Sequence, residues 1–139
     1  MRVLLHVCCG PCALYPLRVL KGEGHVVTGY FFNPNIHPYS EYRRREETLA
    51  AFAARANWPV IFAREYPVEE FLRQVAYREA ERCRFCYALR LRQTAAVAKH
   101  GGFDAFTTTL LVSPFQKHDL LREIGAATAA EYGLPFFYR

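Results

Sequence analysis

The sequence has no long apolar run, and its most hydrophobic stretches are far shorter than the roughly 18 residues that a membrane-spanning helix needs. The apolar stretch from Arg2 to Cys8 is too short for a signal peptide, contains His6, and is not followed by a small-residue cleavage site. These absences predict a cytoplasmic protein that has no membrane partner.

Several sequence signatures are also missing. The phosphate-binding pattern GxxxxGK[ST], the dinucleotide-binding pattern GxGxxG and a Ser/His/Asp hydrolase signature do not occur, which argues against ordinary nucleotide and hydrolase chemistry. Lysine is scarce, since fifteen of the 18 basic residues are arginine. The net charge of +5 favours an anionic partner such as phosphate, although a solvated basic face needs none. The run Arg43–Arg45, followed at once by Glu46-Glu47, alone indicates an exposed helix face.

The composition is that of a packed globular protein. A chain of 139 residues, 52% hydrophobic and 22% charged, fits one α/β domain over residues 1–139. It contains five cysteines, an odd number. In a reducing compartment, cysteines spaced as CxxC bind metal or perform redox chemistry more often than they form structural disulfides.

The apolar periodicity predicts strands that alternate with helices. The predicted strands are Val3–Cys8, His25–Phe32, Val60–Ala63, Asp104–Thr108 and Leu134–Tyr138. The predicted helices are Leu14–Lys21, Tyr39–Ala56, Val68–Val75, Arg84–Lys99 and a last helix that follows Pro114 and ends near Glu131. Such alternation favours a Rossmann-like three-layer sandwich with a mainly parallel five-stranded sheet.

The unusual residues follow the predicted strands. Cys8–Cys12, Asn33–Pro38 and Thr107–Ser113 come after the first, second and fourth strands, and ligands bind at that edge of a parallel sheet. Cys83 and Cys86 open a crossover helix whose amino end lies at the same edge. The thiols of Cys8, Cys9, Cys83 and Cys86 are therefore expected to share one metal. Their spacing suits zinc or an iron–sulfur cluster and does not separate the two.

Cys12 is expected to stand apart from the other four thiols. Gly10-Pro11 supplies a predicted turn before it, and the following helix dipole favours its thiolate. Cys9-Gly10-Pro11-Cys12 also fits a thioredoxin-like dithiol oxidoreductase. Three features argue against that alternative: Cys8 stands where an aromatic residue is usual, the motif follows the first strand, and a second CxxC is left unexplained.

Four blocks together resemble the QueH type of epoxyqueuosine reductase. They are Leu4-Leu5-His6-Val7-Cys8-Cys9-Gly10-Pro11-Cys12, Gly29-Tyr30-Phe31-Phe32-Asn33-Pro34-Asn35-Ile36-His37-Pro38, Cys83-Arg84-Phe85-Cys86-Tyr87 and Thr107-Thr108-Thr109-Leu110-Leu111-Val112-Ser113-Pro114. They occur in the family's order, and with Phe136–Arg139 they cover nearly the whole chain. The family continues beyond this point into a basic, cysteine-containing tail that the present sequence does not include.

The resemblance implies the last step of queuosine synthesis. In that step the epoxide of epoxyqueuosine, at the wobble position of a tRNA anticodon, is reduced by two electrons. The resemblance further implies a [4Fe–4S] cluster, an external electron donor and room for a second, mononuclear iron. On this basis the cluster ligands are Cys8, Cys9, Cys83 and Cys86, and Cys12 is a ligand of the second metal or a reactive thiol.

The remaining site residues are candidates with competing structural roles. His6, His37, Tyr39 and His118 are candidates for the acid that protonates the leaving oxygen, although His6 also fits a hydrogen-bonded core histidine. Candidates for binding the polar nucleoside are Asn33, Asn35, Thr107, Thr108, Thr109, Ser113 and Gln116, where helix capping and turn formation are alternatives.

Contact with tRNA is predicted at one further segment. Tyr42 and Arg43, with the rest of the arginine run, are expected to stack on a base and to meet phosphates. An alternative function from a different class is a zinc- or iron-binding RNA-interaction module without catalysis.

Overall fold

The computed structural model describes residues 1–8, 10–36, 39–63, 68–76, 82–112 and 116–137. Its strands are β1 (Arg2–His6), β2 (Val26–Phe31), β3 (Val60–Phe62) and β4 (Ala105–Thr108). Its helices are α1 (Gly10–Gly22), α2 (Tyr39–Ala56), α3 (Val68–Val75), α4 (Arg82–His100) and α5 (His118–Tyr132), with a 3₁₀ turn at Thr109–Val112. This order confirms the predicted alternation of strands and helices.

The four strands form one parallel sheet in the order β3-β2-β1-β4. The chain builds outward from β1 to β3 and then returns through α3 and α4, so that β4 pairs with the other side of β1. The direction of strand order therefore reverses at β1. In open α/β sheets such a switch point, at the carboxyl ends of the strands, is where ligands bind.

Side chains of β1 alternate between the two faces of the sheet because successive residues of a strand point in opposite directions. Val3 and Leu5 belong to the apolar cluster that contains side chains of α1 and α2. Leu4 belongs to the cluster that contains Ala95 and Ala98 of α4. Helix α5 packs beside α4 through a third cluster. The result is the predicted α/β/α sandwich.

The predicted fifth strand, Leu134–Tyr138, is wrong within the described residues. Only Phe136 pairs with β4, as an isolated parallel bridge to Phe106. The amide of Phe106 donates to the carbonyl of Pro135 at 3.1 Å, and Phe137 donates to Phe106 at 3.0 Å. Proline has no amide hydrogen for a ladder, which limits pairing on its side of the bridge.

The start of α1 also differs from the prediction. Gly10 and Pro11 lie in the helix rather than in a turn before it, because proline fits the first helical turn, where its missing amide hydrogen has no partner to lose. At the other end of the chain, Gly133 ends α5 as predicted. Its φ of 67° is left-handed, and its amide donates to the carbonyl of Ala129. No helix in the described ranges has the length and apolar character needed to cross a membrane.

Candidate functional site

The site lies at the carboxyl edge of the sheet, beside the switch point. Cys8 follows β1, Asn33 follows β2, and Thr109 follows β4. The amide of Cys8 donates to the hydroxyl of Thr109 at 3.2 Å, and that hydroxyl lies 3.4 Å from the sulfur of Cys8. The segments after β1 and β4 are therefore joined directly at the first cysteine.

The second cysteine pair reaches the same edge from α4. Cys83 and Cys86 lie in the opening turns of α4 and carry free thiol groups, the first half-buried and the second buried. Cys8 and Cys83 pack against the same apolar cluster, which includes Leu110 and Leu111 of the 3₁₀ turn. The two cysteine segments, about seventy residues apart in the sequence, thus lie at one edge, where the predicted topology had placed them.

The donor set has the chemistry of a soft-metal site, since thiolates select zinc and iron–sulfur clusters. Within the described ranges, however, no three His, Cys, Asp or Glu side chains already stand close enough to hold a metal. Cys9, the fourth predicted ligand, lies outside the described residues. The shared four-thiol centre therefore stays a prediction. The first turn of α1 places Cys12 beside this edge, half-buried.

A buried arginine that the sequence analysis missed stands behind Cys86. Arg90 is only 5% exposed, and its Nη2 lies 2.9 Å from the sulfur of Cys86. Its Nη1 donates to Oδ1 of Asn33 at 3.2 Å, while Nε has no hydrogen-bond partner among the described residues. A buried positive charge beside free thiols suits a site that holds negative charge. The i,i+4 spacing from Cys86 was the signal that could have identified it.

His6 is fully buried, and both ring nitrogens are engaged. Nδ1 lies 2.9 Å from the hydroxyl of Thr108, and Nε2 lies 3.1 Å from the carbonyl of Phe32. Burial, followed by the nearby charge of Arg90, lowers the pKa of His6 from 6.5 to about 4. The ring is consequently neutral at pH 7, which matches the core-histidine alternative more closely than a group that exchanges protons with substrate.

The threonines predicted to bind substrate are buried and bonded to the protein. Thr107 donates to the carbonyl of Phe137 at 2.7 Å, Thr108 bonds to His6, and Thr109 bonds to Cys8. Their hydroxyls therefore hold the edge of the site together.

The other polar candidates differ in their partners. Asn33 is likewise buried, and its Nδ2 donates to the carbonyl of Val7 at 3.0 Å. Oδ1 of Asn35, in contrast, is a buried acceptor without a partner among the described residues. It is thus the amide oxygen best suited to receive a ligand. His37 and Ser113 lie outside the described residues.

Gln116 is tied to α4 through a tyrosine. The hydroxyl of Tyr87 donates to Oε1 of Gln116 at 2.6 Å and accepts from the amide of Lys117 at 3.2 Å. Burial raises the pKa of Tyr87, and the neighbouring Cys83 and Cys86 act in the same direction. Tyr87 therefore keeps its proton and fixes the segment that leads into α5, where His118 is the first residue.

The predicted stacking of Tyr42 on a base is corrected by its burial. Its ring is 3% exposed and packs against Phe31 at a centroid distance of 5.2 Å. Tyr39, one turn earlier, is 59% exposed and stacks on Tyr42. Arg43 pairs with Glu46 and Glu47 on its own helix. The exposed aromatic surface at the start of α2 is therefore Tyr39.

A cavity of about 410 Å³ opens between α1 and the end of β4. Its walls include Tyr15 and Pro16 of α1, Thr107 and Thr108 of β4, and Leu111. The volume falls within the range of small-molecule sites, and the lining is largely apolar with a few hydroxyl groups. It starts one helical turn beyond Cys12, so a ligand seated here would approach the cysteine edge.

Comparison with known proteins gives one consistent family. The family model described as "Epoxyqueuosine reductase QueH" matches residues 3–139. Proteins with that name are similar in sequence, including one from Dehalococcoides mccartyi that is 36% identical over 137 residues, covering 99% of this chain and 75% of the relative. The Streptococcus pyogenes relative is 38% identical over 133 residues. The match covers 88% of this chain and 52% of that relative, about half its length.

A solved structure supports the fold independently. The chain titled "predicted subunit of tRNA methyltransferase" from Methanocaldococcus jannaschii aligns with a TM-score of 0.64 over 99% of this chain and 66% of that one. The sequence identity is 15%, so this likeness concerns the architecture alone. It agrees with the Rossmann-like prediction.

Proposed function

Because the chain belongs to the QueH family of epoxyqueuosine reductases, we propose that it reduces the epoxide of epoxyqueuosine in tRNA, in the last step of queuosine synthesis. The reaction takes up two electrons and two protons, breaks both carbon–oxygen bonds of the epoxide, and gives an alkene and water. The observation that carries the proposal is the meeting of both cysteine segments at the switch-point edge, beside buried Arg90.

The proposed cofactor is a [4Fe–4S] cluster, with room for a second, mononuclear iron. Such a cluster supplies electrons one at a time at low potential, from an external donor. Cys8, Cys9, Cys83 and Cys86 are the proposed ligands, and Cys12 binds the second metal or acts as a reactive thiol. The free thiols of α4 and the cation behind them fit this group by their chemistry.

The substrate is proposed to enter along the cavity between α1 and β4. The apolar wall of Pro16 and Leu111 excludes water from one side of the modified base. In the turn that follows β2, the unpartnered Oδ1 of Asn35 can accept a hydrogen bond from the substrate. The candidates to protonate the leaving oxygen are then His37, Tyr39, His118 and, as a reactive thiol, Cys12, since neutral His6 is enclosed by protein.

The rest of the tRNA is proposed to lie over the start of α2. Exposed Tyr39 offers a face on which an unpaired base can stack. Arg43, Arg44 and Arg45 pair with glutamates of the same helix, and such surface pairs are weak enough to exchange a carboxylate for a phosphate.

A cytoplasmic location stays a prediction from the sequence.

The experiment that tests this function is anaerobic reconstitution with iron and sulfide. Metal analysis and electron paramagnetic resonance follow, with a dithionite-driven assay on tRNA that carries epoxyqueuosine. We expect a cluster signal, conversion to queuosine, and loss of both in Cys83→Ser. Protein that binds zinc alone and shows no turnover would instead favour a non-catalytic RNA-interaction module. A dithiol that cycles without metal would favour the thioredoxin-like alternative.

A further inference from the structure

Arg90 connects the two cysteine-bearing segments through buried hydrogen bonds. One arm of its guanidinium reaches the sulfur of Cys86 in its own helix, at 2.9 Å. The other arm donates to Asn33 at 3.2 Å. Because the guanidinium is planar and its donors diverge at fixed angles, it holds these two groups at a set separation.

Asn33 extends this connection to the first cysteine segment. Its Nδ2 donates to the carbonyl of Val7 at 3.0 Å, and Val7 directly precedes Cys8. Asn33 is 1% exposed and Val7 is fully buried, so water does not compete for these bonds. The path Cys86–Arg90–Asn33–Val7 thus runs from one thiol segment to the other inside the protein.

We propose that Arg90 is a positioning residue that sets the separation of the two cysteine segments through Asn33 and places a fixed positive charge behind the metal centre. The inference rests on the proposed function, because it takes Cys8 and Cys86 as ligands of one centre. It assigns Arg90 a task that the cysteines themselves do not perform.

The first test measures metal affinity without turnover. Metal-free protein is titrated anaerobically with Co²⁺, and the thiolate-to-cobalt charge-transfer absorption is recorded. Arg90→Met has a similar length but neither charge nor donors, and it leaves no unpaired charge in the interior. We expect its cobalt affinity to fall about 10- to 100-fold, as for other groups that orient metal ligands. Arg92→Met, on the exposed face of the same helix, is the matched control.

The second measurement separates charge from geometry. Arg90→Lys keeps the positive charge but loses the two-armed contact. In reconstituted protein, we expect the midpoint potential of Arg90→Met to become more negative, because the reduced form loses a favourable charge. Arg90→Lys should keep the potential near that of the original protein while its cobalt affinity falls. A charge role without a positioning role would leave the affinity of Arg90→Lys unchanged, which contradicts the proposal.

A double-mutant cycle in metal-free protein tests the connection itself. Arg90→Met and Asn33→Ala should each lower the urea midpoint. If the two side chains act together, the double variant should be no less stable than the less stable of the two single variants. Additive losses would overturn the connection, and unchanged cobalt affinity in Arg90→Met would overturn the positioning role. If the unsubstituted protein binds no cobalt, that result contradicts the proposed function. The double-mutant cycle uses metal-free protein, so it still decides whether Arg90 and Asn33 act together.

Discussion

The imidazole Nδ1 of His6 lies 2.9 Å from the hydroxyl of Thr108, which joins β1 to β4 at the edge that carries the cysteines. The same hydroxyl accepts from the amide of Leu110 at 3.2 Å, and Nε2 of His6 lies 3.1 Å from the carbonyl of Phe32. A carbonyl only accepts, so Nε2 carries the proton, and the threonine hydroxyl donates to Nδ1. Three segments at the site are thus held by one neutral ring.

Thr108→Val should destabilise the protein. The substitution conserves shape but removes the donor to Nδ1 and the acceptor for Leu110, leaving two buried groups unpaired. We expect the free energy of unfolding to fall by about 1–3 kcal/mol, measured by urea denaturation. Thr28→Val, at a half-buried position in β2, is the control and should change stability little. Equal effects of the two substitutions would contradict this account.

Stability should depend on pH through His6. Its pKa is about 4 in the folded protein and near 6.5 when unfolded. Between these values the unfolded chain binds a proton that the folded chain does not. The stability of metal-free protein should therefore be complete above about pH 6.5 and decline by about 3 kcal/mol as the pH falls to 4. Urea midpoints measured across this window should show a shallower decline in His6→Gln.

Gly125→Ala should be unusually costly for a helix-interior glycine. A Cβ atom at this position would lie 2.2 Å from the ring of Phe136, which fills the space between α5 and β4. We expect a loss of about 1–3 kcal/mol from overpacking, although alanine is the better helix former. In Gly22→Ala the added Cβ meets nothing within 4 Å. Thermal unfolding should show a large loss only for Gly125→Ala.

Spectroscopy should distinguish the role of Cys12 from that of Cys83. If Cys12 lies outside the cluster ligand set, Cys12→Ser keeps the cluster signal after reconstitution but loses turnover by about 10²-fold or more, as for other acid–base groups. Cys83→Ser should lose both. Electron paramagnetic resonance and the tRNA assay on the same samples measure the two effects. Loss of the cluster signal in Cys12→Ser would place Cys12 among the cluster ligands.

Tyr39 should contribute to tRNA affinity by stacking. Its ring is 59% exposed, and it lies against buried Tyr42, which fixes its orientation. Tyr39→Ala should weaken tRNA binding by about 1–3 kcal/mol, the usual worth of one base stacked on an aromatic ring. Tyr39→Phe keeps the ring and should bind normally. Filter binding over a range of salt concentrations measures both variants, and affinity should fall as salt increases.

The regular elements were predictable because their apolar periodicity is strong. Helices α2 and α3 have the predicted bounds, Tyr39–Ala56 and Val68–Val75, and the parallel arrangement followed from the alternation. The segment after Gly133 was predicted to be a strand because aromatic residues are common in strands. The Phe136 side chain instead occupies the space left by Gly125. The apolar periodicity of a segment does not reveal such a contact between two separate parts of the chain.

The sequence predicted which edge of the sheet carries the cysteine segments, but not which side chains are buried behind them. Strand ends and the two CxxC motifs indicated the edge, because topology brings these segments together. The inward position of Tyr42 could not be predicted, since tyrosine is abundant in this chain. For Arg90, one of fifteen arginines, the i,i+4 spacing from Cys86 was the one indication. Burial of such amphipathic side chains depends on the neighbours that the fold supplies.

The strand order β3-β2-β1-β4 also determines when the site can exist. The first three strands pair with neighbours that precede or follow them closely, whereas β4 joins β1 across about a hundred residues. Pairs that are distant along the chain form late, because the intervening loop must close first. Helix α4, which carries Cys83 and Cys86, packs on both β1 and β4, so its thiols lie near Cys8 through this long-range part of the fold. The metal centre proposed for these thiols therefore requires contacts between distant parts of the chain, not a local loop alone.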